Sequence, residues 1–174
     1  MGTQVVKVDT GRRAMSDRAF VFTSDGGRMT WDLDDDFRPY DDQIHRTLSL
    51  LGDGKSTLLF WALPEGDDAL MNSDAEPTDA EEYLQCAGTA EQMTIEIQRR
   101  EPDGVLRHYI VGRTPPVPGE PELEVFWADG EFHTTITESE AFDADSAAPV
   151  FQYYFRHRDV AAGTPLRLLP EFRG

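Results

Sequence analysis

The sequence has a single cysteine, Cys86, and no continuous apolar run long enough to span a membrane. Because one cysteine cannot form a disulfide within the chain or supply a cysteine-rich metal site, both features are excluded. Residues Gln4–Asp9 alternate between polar and apolar side chains, which is unlike the continuous apolar core of a secretory signal peptide. We therefore expect a cytoplasmic protein without a transmembrane segment.

Basic side chains are scarce as well: 16 lysines and arginines stand against 33 aspartates and glutamates, which gives a net charge of -17. Since phosphate groups repel such a charge, we expect no unaided binding to nucleic acid and no docking on an anionic membrane. Hydrophobic residues make up 39% of the 174 residues, which is enough to bury a core. The length and the even composition predict one domain over residues 1–174.

Catalytic signatures are missing. Gly52–Thr57 ends like a phosphate-binding loop, but Ser49 occupies the position where that loop requires its first glycine, so the sequence favours a turn. The histidines have no ligand spacing among themselves, although His108 or His133 could lie in a cavity with carboxylates. From the sequence we assign no catalytic residue, no resident metal and no cofactor.

Asp32, Asp34 and Asp36 have the spacing of the first three ligands of a calcium-binding loop. The remainder of that loop is absent, because Phe37 replaces the required glycine and Gln43 replaces the closing glutamate. The pattern therefore favours an acidic strand end with solvated charges, and weak binding of a divalent ion there stays open.

Alternating apolar residues predict an α+β fold, a mostly antiparallel β-sheet with two helices packed on it. The helices are expected at about 41–51 and 146–158, the second capped by Asp145 or Ser146 with Pro149 in its first turn. For the first helix, a strand followed by a turn at Gly52–Gly54 is the alternative. The expected strands are Gln4–Asp9, Ala19–Thr23, Arg28–Leu33, Thr57–Leu63, Tyr83–Cys86, Gln92–Arg100, Val105–Gly112, Glu122–Trp127, Glu131–Thr137 and Leu166–Leu169.

Two stretches concentrate the negative charge. Residues 65–82 carry eight acidic side chains and no basic one, and we expect a flexible, exposed loop whose acids either enter a partner's cleft or are merely solvated. Residues 114–155 carry nine acids, again without lysine or arginine, interleaved with aromatic residues. A field of one sign speeds association with a cationic partner, while acidity that serves solubility is the alternative. The candidate partner-binding residues are Asp67, Asp68, Asp74, Glu76, Asp79, Trp127 and Asp129.

The C-terminal half has a characteristic order of segments over roughly residues 92–169. In chain order they are Met93–Ile97, His108–Gly112, Trp127–Gly130, Ser139–Phe142, Phe151–Phe155 and Leu166–Leu168. This order resembles that of small immunity proteins of actinobacterial polymorphic toxin systems. The resemblance implies a cytoplasmic antitoxin that binds a cognate secreted toxin of the nuclease, deaminase or NAD-degrading type in a 1:1 complex. Such an inhibitor would occlude a cationic active-site cleft with its acidic surface.

Two other classes of function stay open. A small ligand-binding domain or an enzyme would have a cavity between the sheet and the helices, lined by His108 or His133 together with carboxylates. An accessory protein with homomeric contacts would instead expose a large apolar patch. The immunity protein is the leading hypothesis, because the acidic surface and the resemblance point to the same activity.

Overall fold

The computed structural model describes residues 18–170 apart from residues 26, 35, 54 and 55. The expected strand Gln4–Asp9 lies outside this part of the chain. Within the described residues the chain forms nine β-strands and two α-helices. Their bounds are β1 Phe20–Ser24, β2 Met29–Asp32, α1 Tyr40–Ser49, β3 Thr57–Ala62, β4 Tyr83–Gly88, β5 Met93–Arg100, β6 Leu106–Val111, β7 Glu122–Trp127, β8 Phe132–Thr137, α2 Ala144–His157 and β9 Leu166–Leu168.

Seven strands form one sheet with the order β2-β1-β3-β4-β5-β6-β9, and β7 and β8 form a separate two-stranded sheet. Every neighbouring pair of these strands is antiparallel. Tight turns join several pairs, as between β5 and β6, where the Gly104 N–H donates to the Glu101 carbonyl at 2.8 Å. Together with the two helices, this arrangement is the α+β fold that the alternating pattern predicts.

Both helices pack on one face of the large sheet, which we call the helical face. Phe22 and Phe60 stack there with ring centroids 4.4 Å apart, and Phe151 of α2 lies 5.9 Å from Phe60. All three side chains are fully buried. Burying a side chain of this size contributes about 1.5–3 kcal/mol. The helical face therefore holds the main hydrophobic core.

The first helix confirms the segment expected at about 41–51. Ile44 and Leu48 are fully buried against the sheet, and Asp41 and Asp42 lie in the first turn, where negative charge favours the helix dipole. The alternative strand does not form, because a four-residue spacing places both apolar side chains on one side of a helix.

The second helix begins earlier than the sequence predicts. Its N-cap is Asp143, whose carboxylate accepts a hydrogen bond from the Ser146 N–H at 2.8 Å, so the expected cap at Asp145 or Ser146 was wrong. Pro149 consequently lies inside the helix and not in its first turn. The start is fixed by Phe142, whose N–H and carbonyl oxygen both form hydrogen bonds with Met93 of β5. The local sequence does not reveal this contact.

Neither helix of the described ranges is long and apolar enough to cross a membrane.

The opposite face of the sheet is covered by two separate elements, and we call it the open face because a cleft remains between them. The chain after β3 covers one part, with Leu70 and Ala75 packed against Trp61. The hairpin β7–β8 covers another part, with Val125 packed against Ile110. These two covers form the walls of the candidate site.

The acidic residues 65–82 lie in a segment with local structure of its own. Two short 3-10 turns, Leu70–Asn72 and Pro77–Asp79, divide it. The Asp32 carboxylate accepts a hydrogen bond from the Leu70 N–H at 2.8 Å, which ties the segment to β2. Leu70, Ala75 and Ala80 thus pack toward the sheet, whereas Met71 and most of the acids face solvent, and the flexibility expected from the composition stays a prediction.

Candidate functional site

The hairpin β7–β8 is fastened to the rest of the protein at both ends. At its base, the N–H of Arg113, which follows β6, donates to the Ser139 carbonyl at 2.7 Å. The Glu120 carboxylate closes the base by accepting hydrogen bonds from the Ser139 N–H at 2.8 Å and from the Ser139 hydroxyl at 2.9 Å. At its tip, the Ala128 N–H donates to the Ser56 hydroxyl at 3.2 Å. The hairpin therefore presents its tip in one defined position.

The tip of the hairpin exposes aromatic rings beside carboxylates. We define the aromatic tip as Phe126, Trp127, Asp129, Glu131, Phe132 and His133. Phe126 is 55% exposed and Phe132 is 52% exposed. The Phe132 ring stacks on Trp127 with centroids 6.2 Å apart, and the Phe126 ring lies 5.6 Å from His133. Directly opposed residues share a face of a hairpin, so Trp127 with Phe132 lies on one face and Phe126 with His133 on the other. The tip therefore exposes one phenylalanine on each face, and exposed aromatic side chains of this kind can anchor a protein partner.

The turn at the tip is strained. The Asp129-Gly130 pair does connect two paired strands, but Ala128–Gly130 forms a 3-10 turn in which Ala128 has a φ of 51° and Asp129 a φ of 56°. An alanine in this left-handed conformation costs about 1–2 kcal/mol. The hydrogen bond to Ser56 holds the turn in place, and strain of this kind concentrates at functional sites.

The carboxylates of the tip lack cationic partners within the described part of the chain. Asp129 and Glu131 are exposed, and neither forms an ion pair there. They border a broad depression of about 690 Å³, to which Asp25 contributes a further acid and Arg28 a basic side chain. Elsewhere among the described residues, seven arginines contact acids: Arg18 with Glu65, Arg99 with Glu101 and Asp159, Arg100 with Glu81, Arg107 with Asp103, Arg156 with Asp41, Arg158 with Glu82, and Arg167 with Glu140.

The acidic segment, residues 65–82, and the tip both border the cleft. Pro77 and Thr78 line the same cleft as Trp127, so Glu76 and Asp79 flank one wall while the tip forms another. Asp74 is exposed on the segment. The other carboxylates bond within the segment: Asp67 accepts from Ser73, Asp68 from Asn72, and Asp79 from the Glu76 N–H.

Asp67 and Asp68 lie away from the tip. They come after Ala62, the last residue of β3, whereas the tip contacts Ser56, which lies just before the first residue of β3. A six-residue strand separates the two places by about 20 Å. The predicted site residues therefore fall into two groups, one around the cleft and one at the far end of the sheet.

The cleft on the open face has a volume of about 340 Å³. Residues of β3, β4 and β5 form its floor, and Pro77 and Trp127 stand on its walls. For a ligand-binding protein the sequence predicts a cavity between the sheet and the helices, but this cleft lies on the opposite face. The reason is that aromatic side chains fill the helical face.

Glu96 is the polar centre of the cleft floor, and its side chain is only 13% exposed. Its Oε2 atom accepts a hydrogen bond from Gln85 Nε2 at 2.7 Å and lies 2.9 Å from His108 Nε2. Burial, with a smaller contribution from Glu96, raises the pKa of Tyr83, whose ring packs edge-on against His108. Of the two histidines considered for a cavity, His108 thus contacts the carboxylate of the cleft, while His133 lies at the tip.

Sequence reasoning missed Glu96 and Gln85 as site residues. The available signal was their position on the polar side of two alternating strands, where they pair directly with each other. Alternation marks that side as polar, but it does not reveal that the hairpin β7–β8 and residues 65–82, from distant parts of the chain, cover it.

The other sequence motifs do not converge on a site. Within the residues that the structure describes, no group of three or more His, Cys, Asp or Glu side chains is placed to hold a metal ion. The Asp34 carboxylate instead accepts from the Asp36 N–H at 2.9 Å. In Gly52–Thr57, residues 54 and 55 lie outside the described part, and a strand begins at Thr57 where a phosphate-binding loop would begin a helix. Burial raises the pKa of the Cys86 thiol.

Comparisons of the chain with protein-family models, with curated proteins and with solved structures found no match.

Proposed function

We propose that this protein is an immunity protein, an antitoxin that binds a cognate secreted bacterial toxin and occludes its cationic active-site cleft. The observation that carries the proposal is the aromatic tip, where two half-exposed phenylalanines stand beside Asp129 and Glu131. The resemblance of residues 92–169 to immunity proteins supplies the class of partner.

The chemistry of the tip suits a cationic protein surface. Buried aromatic anchors contribute much of the free energy of association at protein interfaces. Arginine stacks favourably on aromatic faces, and its attraction to the neighbouring carboxylates adds to that contact. Phe126 and Phe132 would supply one anchor on each face of the hairpin, and Asp129 and Glu131 the charge between them.

The fastening of the hairpin supports tight binding. A loop that is ordered before association loses little conformational entropy when the complex forms. Because hydrogen bonds hold both the base and the tip of β7–β8, this surface is already ordered in the free protein.

Association kinetics test the proposal. The C-terminal domain of the protein encoded beside this protein's gene would be purified, and its association with this protein measured at low and at high salt. We expect a 1:1 complex whose association rate falls as salt is added, since unpaired carboxylates steer the encounter. Absence of a complex with that domain, or an association rate independent of salt, would contradict the proposal.

Two sets of variants locate the contact surface. Phe126→Ser with Phe132→Ser removes the aromatic anchors, and Asp74→Asn with Glu76→Gln removes charge from the acidic segment. The first pair is expected to weaken the complex by about 100-fold or more, as for hot-spot aromatics. Glu91→Gln is the control, because Glu91 is exposed in the turn between β4 and β5, outside the tip and the segment. Equal affinity of the Phe variant and the Glu91 variant would exclude the tip as the contact.

A further inference from the structure

Of the two oxygens of the Glu96 carboxylate, Oε2 has partners among the described residues and Oε1 has none. Both protein contacts, from Gln85 and from His108, go to Oε2. Among the described residues no partner contacts Oε1. The side chain is nearly nine-tenths buried, but Oε1 keeps exposed surface, so water satisfies it until a ligand displaces that water. Since Glu96 lines the cleft, Oε1 is placed to accept from a ligand.

A second polar atom on the cleft floor also lacks a partner. Thr94 is 1% exposed, and its hydroxyl makes no hydrogen bond to the rest of the described chain. Thr94 and Glu96 are two residues apart on β5, so both side chains point to the open face, about 7 Å apart. The floor thus offers two hydrogen-bonding positions at a defined separation.

The remaining lining is largely apolar. Leu59 lies on the floor, and Pro77 and the indole of Trp127 stand on the walls. The volume of about 340 Å³ falls within the range of small-molecule sites. No arginine or lysine of the described chain lines the cleft, so a cation would meet no repulsion from a basic side chain of the lining.

We propose that this cleft binds a single organic cation, an ammonium or guanidinium group carried on an apolar body. The cationic group donates to Glu96 Oε1, the apolar body packs on Trp127 and Leu59, and a polar substituent of the ligand reaches the Thr94 hydroxyl. The cation is either that of a small amine or that of a side chain from another protein, because both present the same chemistry. The site does not depend on the proposed toxin partner.

Matched indole probes test the charge preference. Tryptamine carries an ammonium group, tryptophol is its neutral alcohol, and indole-3-propionic acid is a related anion. Each would be titrated into the ¹⁵N-labelled protein and followed by amide chemical shifts. We expect tryptamine to bind at least about 10-fold more tightly than the other two, since hydrogen bonds to charged groups are the strong ones. The shifts are expected at residues lining the cleft.

Variants separate the carboxylate from the surrounding surface. Glu96→Gln keeps the size of the side chain and its contact with Gln85 but removes the charge, and it is expected to abolish the preference for tryptamine. Glu91→Gln removes an exposed charge outside the cleft and is expected to leave the affinity unchanged. Thr94→Val tests the second position with a probe that carries a polar substituent, 5-hydroxytryptamine, whose affinity is expected to fall several-fold.

The source of the cation is distinguished by a second probe, the blocked peptide acetyl-Gly-Arg-Gly-amide. Binding of tryptamine alone identifies a small amine as the ligand type, and binding of the peptide alone identifies an arginine side chain of a protein. The proposal is overturned if neither cation binds at millimolar concentration, if the anion binds as well as tryptamine, or if Glu96→Gln binds as the wild type does. None of these outcomes bears on the toxin complex, because no toxin is present.

Discussion

The ion pair between Arg167 and Glu140 joins β9 to the turn that follows the hairpin β7–β8, and Arg167→Met removes it. Arg167 Nε lies 2.6 Å from Glu140 Oε1, and a second guanidinium nitrogen lies 2.7 Å from Oε2. The Glu140 side chain is 8% exposed, and it also accepts a hydrogen bond from the Thr137 N–H at 3.0 Å. Methionine preserves most of the apolar stem of arginine and leaves the carboxylate without its charged partner.

The magnitude follows from burial. Removing one member of a fully buried ion pair costs about 3–5 kcal/mol. The Arg167 side chain is 47% exposed, so water reaches the pair and a smaller loss, about 2 kcal/mol, is expected. The control is Arg156→Met, which removes the pair with Asp41, where both side chains are almost half exposed. Pairs of that kind contribute at most about 1 kcal/mol.

The loss should depend on pH in a defined direction. Burial tends to raise the pKa of Glu140, but the hydrogen bonds from Arg167 and from the Thr137 N–H, together with the guanidinium charge, outweigh it and hold the pKa below its ordinary value of 4.5. Because a lowered folded-state pKa stabilises the protein above the unfolded-state value, this contribution disappears as the pH falls through the folded-state pKa. In urea unfolding, the difference between wild type and Arg167→Met is therefore expected at pH 7 and reduced at pH 3. A loss equal to that of Arg156→Met, or one that grows in acid, would refute the reasoning.

Three further predictions concern packing and exposure. Gly88→Ala is expected to cost about 2–4 kcal/mol of unfolding free energy. Gly88 has a φ of 122°, and a Cβ there would lie 2.4 Å from the Gln92 carbonyl oxygen and 2.8 Å from Val125. The control Gly163→Ala, with a φ of 84° but open space around it, should cost only about 1 kcal/mol, and equal losses for the two variants would contradict the clash. Thr94→Val replaces an unpartnered buried hydroxyl, so thermal unfolding should show equal stability or a gain of up to about 1 kcal/mol, and a clear loss would reveal a hidden partner. Phe126→Ser with Phe132→Ser should leave the melting temperature nearly unchanged, since both rings are half exposed, and a large drop would mean that the tip serves folding.

The sheet could be predicted from the sequence because its signals are local. Period-two alternation in β5 and β6 and the turn Glu101–Gly104 between them identify a hairpin without further information. The same holds for β7 and β8 around Asp129-Gly130. Even the first helix follows from the spacing of Ile44 and Leu48.

The cleft could not be predicted, because its walls come from distant parts of the chain. Alternation in β5 indicates that Glu96 and Thr94 share one side of a strand, but it does not tell which element covers that side. Because residues 65–82 are mostly charged or polar, their composition also gives no sign that Leu70 and Ala75 pack against Trp61. Helix α2 was placed wrongly at its start for a related reason, since several adjacent residues are good caps and only the pairing of Phe142 with β5 selects Asp143.

Trp127 lies between two concave sites, because it lines both the cleft on the open face and the broad depression at the tip. A molecule that moves or fixes this ring from one side changes the shape offered on the other. By thermodynamic reciprocity, whatever factor an occupant of the cleft imposes on affinity at the tip, an occupant of the tip imposes on affinity in the cleft. One tryptophan would then make two neighbouring binding events communicate.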